Sequence, residues 1–467
     1  MIAKIIVDNK SKQVDKPFDY LVPKELEGKI KIGSRVLVPF SSGNREIEGF
    51  CVGTADTSDS KRLKSIIRTA NDSIGFDEDM LELIEWMHKK YLASYLDIIH
   101  TIVPSGTALK TKEWIILENK SEEKSEIRRR ITEILTDNGG SMEFKGLKEM
   151  CGVDIQNQVR AMIKEGTLKK EYRQSVDIKD KKIKCVKLIC DRETALESAE
   201  ILRRKAPVQA KMLEVLSENT YVSLADLQKF TNGSHSTVKA LEKKNLVNVF
   251  DMTVERDPYW NRFFEKTEKM VPTPEQEYAI DEITNSVKSG DGGIYLLHGV
   301  TGSGKTEVFM QTIENVINMG KSAIMLVPEI SLTPQMVSRF MSRFGGRVAI
   351  FHSGLSTGER YDQWKKIRDG EADIVIGARS AIFTPLKNIG VIIMDEEHSD
   401  TYKSDMSPRY HARETAIFRA SQFSAAVVLA SATPSVESYY KAQTGEYKLL
   451  EMNTRYNKNK MPEISVI

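Results

Sequence analysis

A glycine-rich stretch in the second half of the chain has the composition needed to hold phosphate groups. It runs from His298 to Glu307, reads HGVTGSGKTE, and fits the pattern Gly-x4-Gly-Lys-Thr. Glycines let the backbone curl so that successive N–H groups face phosphates, a lysine reaches the β- and γ-phosphates, and a threonine hydroxyl holds Mg²⁺. The residues predicted to contact a nucleotide are Gly299, Thr301, Gly302, Ser303, Gly304, Lys305 and Thr306, with Thr306 on Mg²⁺.

An acidic cluster supplies the second half of this chemistry. Asp395, Glu396 and His398 stand in DEEH, directly after the apolar run VIIM. A strand-end carboxylate beside a phosphate loop completes a Mg²⁺ site, which we assign to Asp395, and the next one can orient and deprotonate water, which we assign to Glu396. Lys305, Asp395 and Glu396 are therefore the predicted catalytic residues for nucleotide hydrolysis. The alternative is that the acidic residues only cap the following helix.

Four further polar clusters help to distinguish between classes of phosphate-loop protein. Gln276 follows Thr273 and Pro274 at a predicted helix start, and its amide can hydrogen-bond both adenine edges, which favours ATP. The segments VPEISLTPQ, GARSAIFTP and SATPS each follow an apolar run, at the sheet edge where such folds place their ligand-contacting loops. Taken singly, each segment is also compatible with an ordinary strand-to-helix turn capped by Ser or Thr.

The elements that must position these residues alternate between strands and helices. Continuous apolar runs such as GIYLLHG, SAIMLVP, ADIVIGA and AAVVLASAT are separated by amphipathic segments that end in glycine. This pattern is typical of a parallel sheet covered on both faces. We therefore predict a doubly wound α/β domain over residues 257–455, which the resemblance described below implies to be a RecA-like lobe.

The first 256 residues have a different texture. Short alternating runs broken by Pro and Gly predict a small β-rich domain over 1–108, closed by a helical segment that ends before Pro104. Two stretches that start at Ile131 and Lys211 then share an order of helix, turn, helix, turn, helix and β-type tail. This order is typical of winged-helix domains, predicted here over 109–200 and 201–256, although the repeats could equally be packing spacers.

Composition excludes several classes of protein. The chain has 467 residues, more than one hydrophobic core usually supports, so we expect several domains. Its net charge is +2, and its four cysteines are too scattered for a disulfide framework. We expect no zinc site in the chain, because zinc sites need four closely spaced ligands. The sequence has no signal peptide and no apolar run of about 18 residues, so we expect a cytoplasmic protein with no membrane partner.

In this order and spacing, the motifs resemble the first motor lobe of a superfamily 2 DNA helicase. The segments HGVTGSGKTEV, VPEISLTPQ, FHSGLS, IGARSAIFTP, DEEH and LASATPS are similar to those of the PriA (primosomal protein N′) family of bacterial replication-restart helicases. Near the start, KPFDYLVP and IGSRVLVPF resemble the small domain with which that family holds the 3′ end of a nascent DNA strand. The resemblance covers nearly the whole chain and is least specific in the middle.

The resemblance implies DNA-contacting residues at matching positions. Phe18, Asp19 and Tyr20 would form the pocket for the terminal nucleotide, with Lys64 on a phosphate, although PFDY alone favours a Pro-led turn with core aromatics. Ser41 departs from the family, which often has Gly there. The other implied contacts are Arg379 and, in the family's aromatic-rich loop that links single-strand binding to hydrolysis, Tyr402, Tyr410, His411 and Arg413. Local packing is the alternative for Tyr410.

The resemblance also implies a larger protein. The family's second motor lobe, which donates arginines to the γ-phosphate, would begin within 456–467, and its two-zinc insertion has no counterpart here. The chain is then expected to bind ATP weakly, to hydrolyse it slowly if at all, and not to unwind DNA. Implied partners are forked and single-stranded DNA, the nascent 3′ end, other primosome proteins and single-strand binding protein. The alternatives are a non-motor DNA-binding module with a nucleotide site, or a translocase of the RecQ or restriction type.

Overall fold

The computed structural model describes residues 1–41, 45–60, 62–69, 75–103, 109–119, 125–176, 181–254 and 269–456. It divides into two compact units. The larger comprises Met1–Ile178 and Arg262–Ile467, and the smaller is Lys179–Asn261. The predicted start of a second lobe falls almost entirely on 457–467, which lies outside the described residues.

The chain begins with a six-stranded sheet, as the β-rich pattern predicts. Its strands are β1 (Ile2–Val7), β2 (Phe18–Leu21), β3 (Arg35–Phe40), β4 (Arg45–Ala55), β5 (Lys64–Ser65) and β6 (Arg68–Thr69), in the order β5-β2-β1-β4-β3-β6. The predicted closing helix is two helices, α1 (Glu78–Tyr91) and α2 (Tyr95–Ile102). The break falls at Leu92, whose left-handed φ of 51° ends α1, and Ser94 then caps α2.

Two modules with similar element order follow. The first has β7 (Leu109–Leu117), α3 (Glu126–Asp137), β8 (Ser141–Glu143), α4 (Phe144–Cys151), α5 (Gln156–Lys164) and β9 (Leu168–Val176). The second has β10 (Lys181–Leu188), α6 (Arg192–Leu202), α7 (Pro207–Ser217), β11 (Val222–Ser223), α8 (Leu224–Thr231), α9 (His235–Lys243) and β12 (Val247–Val254). The predicted boundary at residue 200 falls inside α6. The leading strand β10 pairs with β12 along its whole length, so the second module starts about twenty residues earlier than expected.

The remainder is an α/β domain with a seven-stranded parallel sheet. The elements are α10 (Pro274–Ser289), β13 (Gly293–Gly299), α11 (Lys305–Asn318), β14 (Ser322–Leu326), α12 (Pro334–Phe344), β15 (Val348–Phe351), α13 (Thr357–Arg368), β16 (Ile374–Gly377), β17 (Ile389–Met394), α14 (Ala412–Gln422), β18 (Ala426–Ser431), α15 (Val436–Gln443) and β19 (Lys448–Met452). The strand order is β15-β16-β14-β17-β18-β13-β19. The strands are buried almost throughout, as their continuous apolar runs predict.

The N-terminal helices pack against α14 of the α/β domain. The rings of Trp86 and Phe418 stack with centroids 4.6 Å apart, and Gln422 donates a 2.8 Å hydrogen bond to the carbonyl of Asp79. Beneath them, the fully buried Arg419 donates to the carbonyls of Ile382, Thr384 and Leu386. These contacts fix α1 and α2 beside the loop that precedes α14.

No described helix combines the length and the apolar character that crossing a lipid bilayer requires.

Candidate nucleotide site and DNA-contacting regions

The phosphate loop joins the end of β13 to the start of α11, as the sequence predicts. Gly302 and Gly304 have φ of 84° and 86°, a left-handed conformation that glycine adopts without steric cost. The Nζ atom of Lys305 donates a 2.7 Å hydrogen bond to the carbonyl of Gly299, which folds the side chain back over the loop. Burial lowers the pKa of Lys305, while Glu396 and Asp395 oppose that shift.

The loop lines a cavity of about 580 Å³. Its lining combines the phosphate loop with the acidic cluster: Met270, Gln276, Thr301, Gly302, Ser303, Gly304, Lys305, Thr306, Glu307, Met310, Arg339, Arg343, Asp395, Glu396 and Tyr456. The structure therefore brings together every residue predicted to hold nucleotide or Mg²⁺ except Gly299, which lies beneath the loop. A volume of this size is in the range of small-ligand pockets.

The two carboxylates of this cavity differ in their surroundings. Burial, reinforced by the neighbouring charge of Glu396, raises the pKa of Asp395 to about 6, against the opposing effects of a hydrogen bond from the Glu396 N–H, of Lys305 and of His398. Glu396 is less buried and has a left-handed φ of 46°, an uncommon conformation for a residue other than glycine. Strained backbone of this kind is concentrated at functional sites.

The donor set suits Mg²⁺. Asp395 offers a carboxylate whose charge is poorly compensated, and Thr306 offers a hydroxyl at the start of α11. Mg²⁺ usually takes one or two protein oxygens of this kind and completes its shell with water and phosphate oxygens. Among the described residues, no group of three or more His, Cys, Asp or Glu side chains is arranged to hold a metal by itself.

Gln276 lies against the phosphate loop. Its side chain is 1% exposed, its Nε2 donates to the Ser303 carbonyl at 2.7 Å, and its Oε1 accepts from the Thr273 N–H at 2.9 Å. Both polar ends of the amide are thus occupied by the protein, whereas the sequence predicts that they bind adenine. The structure instead gives Gln276 a direct role in holding the loop.

The sequence patterns do not predict the buried hydrogen-bond network that lies beside Asp395 and Glu396. Glu397 is 2% exposed and its carboxylate accepts hydrogen bonds from the side chain of Arg413, from the backbone N–H and hydroxyl of Ser435, and from the hydroxyl of Ser438. Next to it, His398 hydrogen-bonds Ser431 at 2.8 Å. The third acidic residue of DEEH and the serines of SATPSVES are the signal that could have suggested this pairing.

In this conformation, the residues predicted to contact DNA in the aromatic-rich loop make contacts within the protein. Tyr402 and Tyr410 are 1% and 3% exposed, so neither ring is available to stack on a base, and local packing explains Tyr410, whose ring meets Phe383 edge-on. His411 caps α14 through an Nδ1 that accepts from the Arg413 N–H, and burial lowers its pKa. Arg413 itself points inward to Glu397, which leaves it unavailable to DNA in this conformation.

Arg379 lines a second cavity, which has a volume of about 340 Å³. It donates through Nη1 to the carbonyls of Thr401 at 3.2 Å and Lys403 at 2.5 Å. The cavity is lined by Val327, Glu329, Ala378, Arg379, Asp400, Thr401, Lys403 and Asp405. The segments VPEISLTPQ and GARSAIFTP therefore meet the aromatic-rich loop at one surface, and Arg379 remains a candidate DNA contact.

In the N-terminal sheet, Phe18 and Asp19 are half-buried on β2, while Tyr20 is 4% exposed and belongs to the core. Asp19 accepts a hydrogen bond from Ser58, and Lys64 donates one of 2.6 Å to the carbonyl of Ser41. Ser41 has a φ of 60°, a conformation that glycine adopts more readily. The structure thus places Phe18, Asp19 and Lys64 around one edge of the sheet and leaves Tyr20 as support.

Comparison with known proteins defines the class of this chain. Residues 4–104 match the model of the 3′ DNA-binding domain (3′BD) of PriA, and residues 273–442 match the DEAD/DEAH box helicase model. The chain thus combines a 3′BD domain with a helicase domain built on a parallel, RecA-like sheet.

Individual curated proteins are similar to this chain from end to end. Replication restart protein PriA of Bacillus subtilis (strain 168) is 39% identical over 100% of this chain and 57% of its own length. PriA of Synechocystis is 32% identical over 100% of this chain and 56% of its own length. PriA of Chlamydia pneumoniae is 31% identical over 100% of this chain and 53% of its own length. The chain is therefore similar to PriA proteins along its whole sequence. It spans little more than half the length of these relatives.

Proposed function

We propose that this chain supplies the DNA-binding region and first motor lobe of an ATP-dependent 3′→5′ DNA helicase that acts in replication restart. The observation that carries the proposal is the single cavity shared by the phosphate loop, Asp395 and Glu396. Because the loop can cradle phosphates and the two carboxylates have different surroundings, the cavity contains separate groups for binding the nucleotide and for activating water.

Each side chain has a defined task in this scheme. Lys305 would leave the Gly299 carbonyl to neutralise charge on the β- and γ-phosphates. Asp395 and Thr306 would hold Mg²⁺, which supplies charge neutralisation at the phosphates when it is bound. Glu396 would accept a proton from the attacking water, and the His398–Ser431 hydrogen bond ties the segment after Glu396 to the end of β18.

For DNA, we propose that Phe18, Asp19 and Lys64 hold the 3′ end of a nascent strand. The Asp19 carboxylate, which now accepts from Ser58, is suited to accept from a terminal 3′-hydroxyl instead, and the Phe18 ring can stack on the last base. Single-stranded DNA would cross the surface that includes Arg379. We further propose that the two middle modules are winged-helix domains. We also propose that the protein acts in the cytoplasm and that its partners are forked DNA, other primosome proteins and single-strand binding protein.

The nucleotide site is tested by crosslinking labelled ATP in the presence of Mg²⁺. Lys305→Ala should abolish labelling, whereas Lys288→Ala, an exposed lysine at the end of α10, should not change it. Labelling that survives Lys305→Ala would refute the assignment of the phosphate loop.

The end-binding pocket is tested by fluorescence anisotropy on forks with a 3′-hydroxyl or a 3′-phosphate. We expect weaker binding of the phosphate form, because the Asp19 carboxylate would face like charge, and loss of the preference in Asp19→Ala. Asp56→Ala, an exposed carboxylate after β4, is the matched control. Equal affinity of the wild-type chain for both ends would instead indicate a DNA-binding module that does not read the end.

A further inference from the structure

The nucleotide cavity continues past the phosphate loop along the first turns of α11. Beyond the loop, Asp395 and Glu396, its lining includes Met270, Glu307, Met310, Arg339 and Arg343. The loop and the two carboxylates lie where the proposed function places the phosphates and Mg²⁺. The rest of the lining is therefore available to the ribose and the base of a bound nucleotide.

Glu307 is a buried carboxylate in this part of the cavity. The residue lies in the first turn of α11 and is 8% exposed. Its Oε1 atom accepts hydrogen bonds from Gln311 Nε2 at 2.8 Å and from the Met270 N–H at 3.3 Å. Gln311 Nε2 also donates to the Met270 carbonyl at 2.8 Å. These contacts hold the carboxylate in one orientation.

The second oxygen of this carboxylate has no such donor. Among the residues that the structure describes, every hydrogen bond to Glu307 is made to Oε1. Arg343 also approaches Oε1, at 3.8 Å, but lies closer to Glu314, at 3.0 Å. A carboxylate that is more than nine-tenths buried is costly unless its oxygens accept hydrogen bonds. Since Glu307 lines the cavity, a bound ligand can supply the missing donor.

The amide of Gln276 is not available for this task in the present conformation. Its Nε2 and Oε1 atoms are occupied by the Ser303 carbonyl and the Thr273 N–H. Base recognition therefore has to come from another group of the lining. A carboxylate only accepts hydrogen bonds, so Glu307 selects a base edge that carries a donor.

Two methionine side chains make the same region suitable for a flat ring. Met310 follows Glu307 by three residues on α11 and is 9% exposed, whereas Met270 is 47% exposed. Thioether side chains are flexible and polarisable, and their contacts with aromatic rings are favourable. A purine in contact with both methionines would present its edge to Glu307.

We propose that Glu307 reads the base of the bound nucleotide: its Oε2 atom accepts a hydrogen bond from the 6-amino group of adenine, while Met270 and Met310 contact the ring. Guanine and hypoxanthine carry an oxygen at the same position, which would face the carboxylate as a second acceptor. The pocket therefore selects adenine nucleotides. The inference rests on the proposed function, since it requires that the phosphate loop binds a nucleotide.

Competition against a ribose-labelled fluorescent ATP analogue, with Mg²⁺ present, measures this selection. ATP is compared with ITP, which has an oxygen in place of the 6-amino group, and with purine riboside triphosphate, which has only hydrogen there. A hydrogen bond to a charged group is worth roughly tenfold to a hundredfold in affinity. We therefore expect the wild-type chain to bind ATP at least about tenfold more tightly than either analogue.

Glu307→Gln should reverse the preference. Gln311 Nε2 and the Met270 N–H both donate, so they hold the new amide oxygen at the position of Oε1 and leave its NH₂ group at the position of Oε2. A donor then faces the base, which suits the 6-oxygen of ITP and opposes the 6-amino group of ATP. ITP should accordingly bind this variant more tightly than ATP.

The control is Glu314→Gln, on the same helix, which also removes a carboxylate partner of Arg343 but does not line the cavity. It should keep the wild-type order of affinities. A purely structural role for Glu307 would lower the melting temperature of both glutamine variants and leave the ratio of ATP to ITP affinity unchanged in both, which overturns the inference. Equal wild-type affinities for ATP and purine riboside triphosphate also overturn it, and that comparison does not depend on a variant that folds. Failure of the wild-type chain to bind any nucleotide would refute the proposed function itself.

Discussion

Replacing Asp395 by asparagine should stabilise the nucleotide-free protein while removing its response to Mg²⁺ and ATP. The pKa of this carboxyl rises from 3.8 to about 6 because it is buried beside Glu396, with Lys305 and His398 compensating only in part. A shift of this size corresponds to about 3 kcal/mol of unfavourable free energy in the ionised state. Asparagine has nearly the same shape and carries no charge, so it avoids that cost.

The pH dependence gives the sign of the effect. A carboxyl whose pKa is raised on folding binds its proton more tightly in the folded state, so its contribution to stability is complete below pH 3.8 and is lost as the pH rises through 6. The gain in the free energy of unfolding from Asp395→Asn should therefore be close to zero below pH 3.8, about half of its full size near pH 5, and complete above about pH 6.5. Its full size is about 3 kcal/mol, because the pKa shift already includes the attraction of the carboxylate to Lys305.

Urea denaturation at pH 5 and pH 8 measures the effect. The control is Asp281→Asn, an exposed carboxylate on α10, which should show no comparable gain. Adding Mg²⁺ with a saturating ATP analogue should raise the denaturation midpoint of the wild type and not that of Asp395→Asn, because the variant lacks the carboxylate proposed to hold Mg²⁺. A variant that is no more stable than the wild type at pH 8, or a gain of equal size at both pH values, would refute the account of Asp395 as a carboxylate whose charge is destabilised by burial.

Two further predictions concern the loop support. Gln276→Ala should weaken nucleotide binding and lower the free energy of unfolding by about 1–3 kcal/mol, because the Ser303 carbonyl and the Thr273 N–H both lose a buried partner. If a binding titration shows an unchanged nucleotide affinity, Gln276 only caps α10. Gly304→Ala should weaken nucleotide binding far more than Gly290→Ala. Both glycines have a left-handed φ, but a Cβ at Gly304 would clash with Gln276 Nε2, whereas one at Gly290 would meet nothing within 4 Å. Equal affinities of the two variants would show that backbone strain alone matters there.

Local patterns are enough to predict the nucleotide half of the site. Each phosphate-binding residue follows a continuous apolar strand, and parallel strands place their carboxyl ends at one edge, so Lys305 and Asp395 were expected to meet without any knowledge of tertiary contacts. The N-terminal sheet was predictable in the same way, from alternation and turn residues. The order of the seven strands was not, because nothing local in an apolar run specifies its neighbours.

Tertiary contacts decide the features that the sequence leaves open. Tyr402 and Tyr410 stand in a polar segment and suggest exposed stacking rings, yet both are buried, because the loop folds back onto β14 and the segment around Phe383. The leading strands β7 and β10 precede the helices of their modules, so a repeat that is read from helical spacing does not include them. Leu92 gives no sequence signal for a break, since leucine is a good helix former.

The three consecutive acidic residues of DEEH show how position, and not residue type, assigns function. As the chain leaves β17, successive side chains point in different directions: Asp395 into the nucleotide cavity, Glu396 toward the same cavity from a left-handed turn, and Glu397 into the protein against Arg413. Only a buried cation makes the third direction tolerable for a carboxylate. The sequence places three similar carboxylates side by side, and the fold places two of them at the nucleotide cavity and buries the third against Arg413.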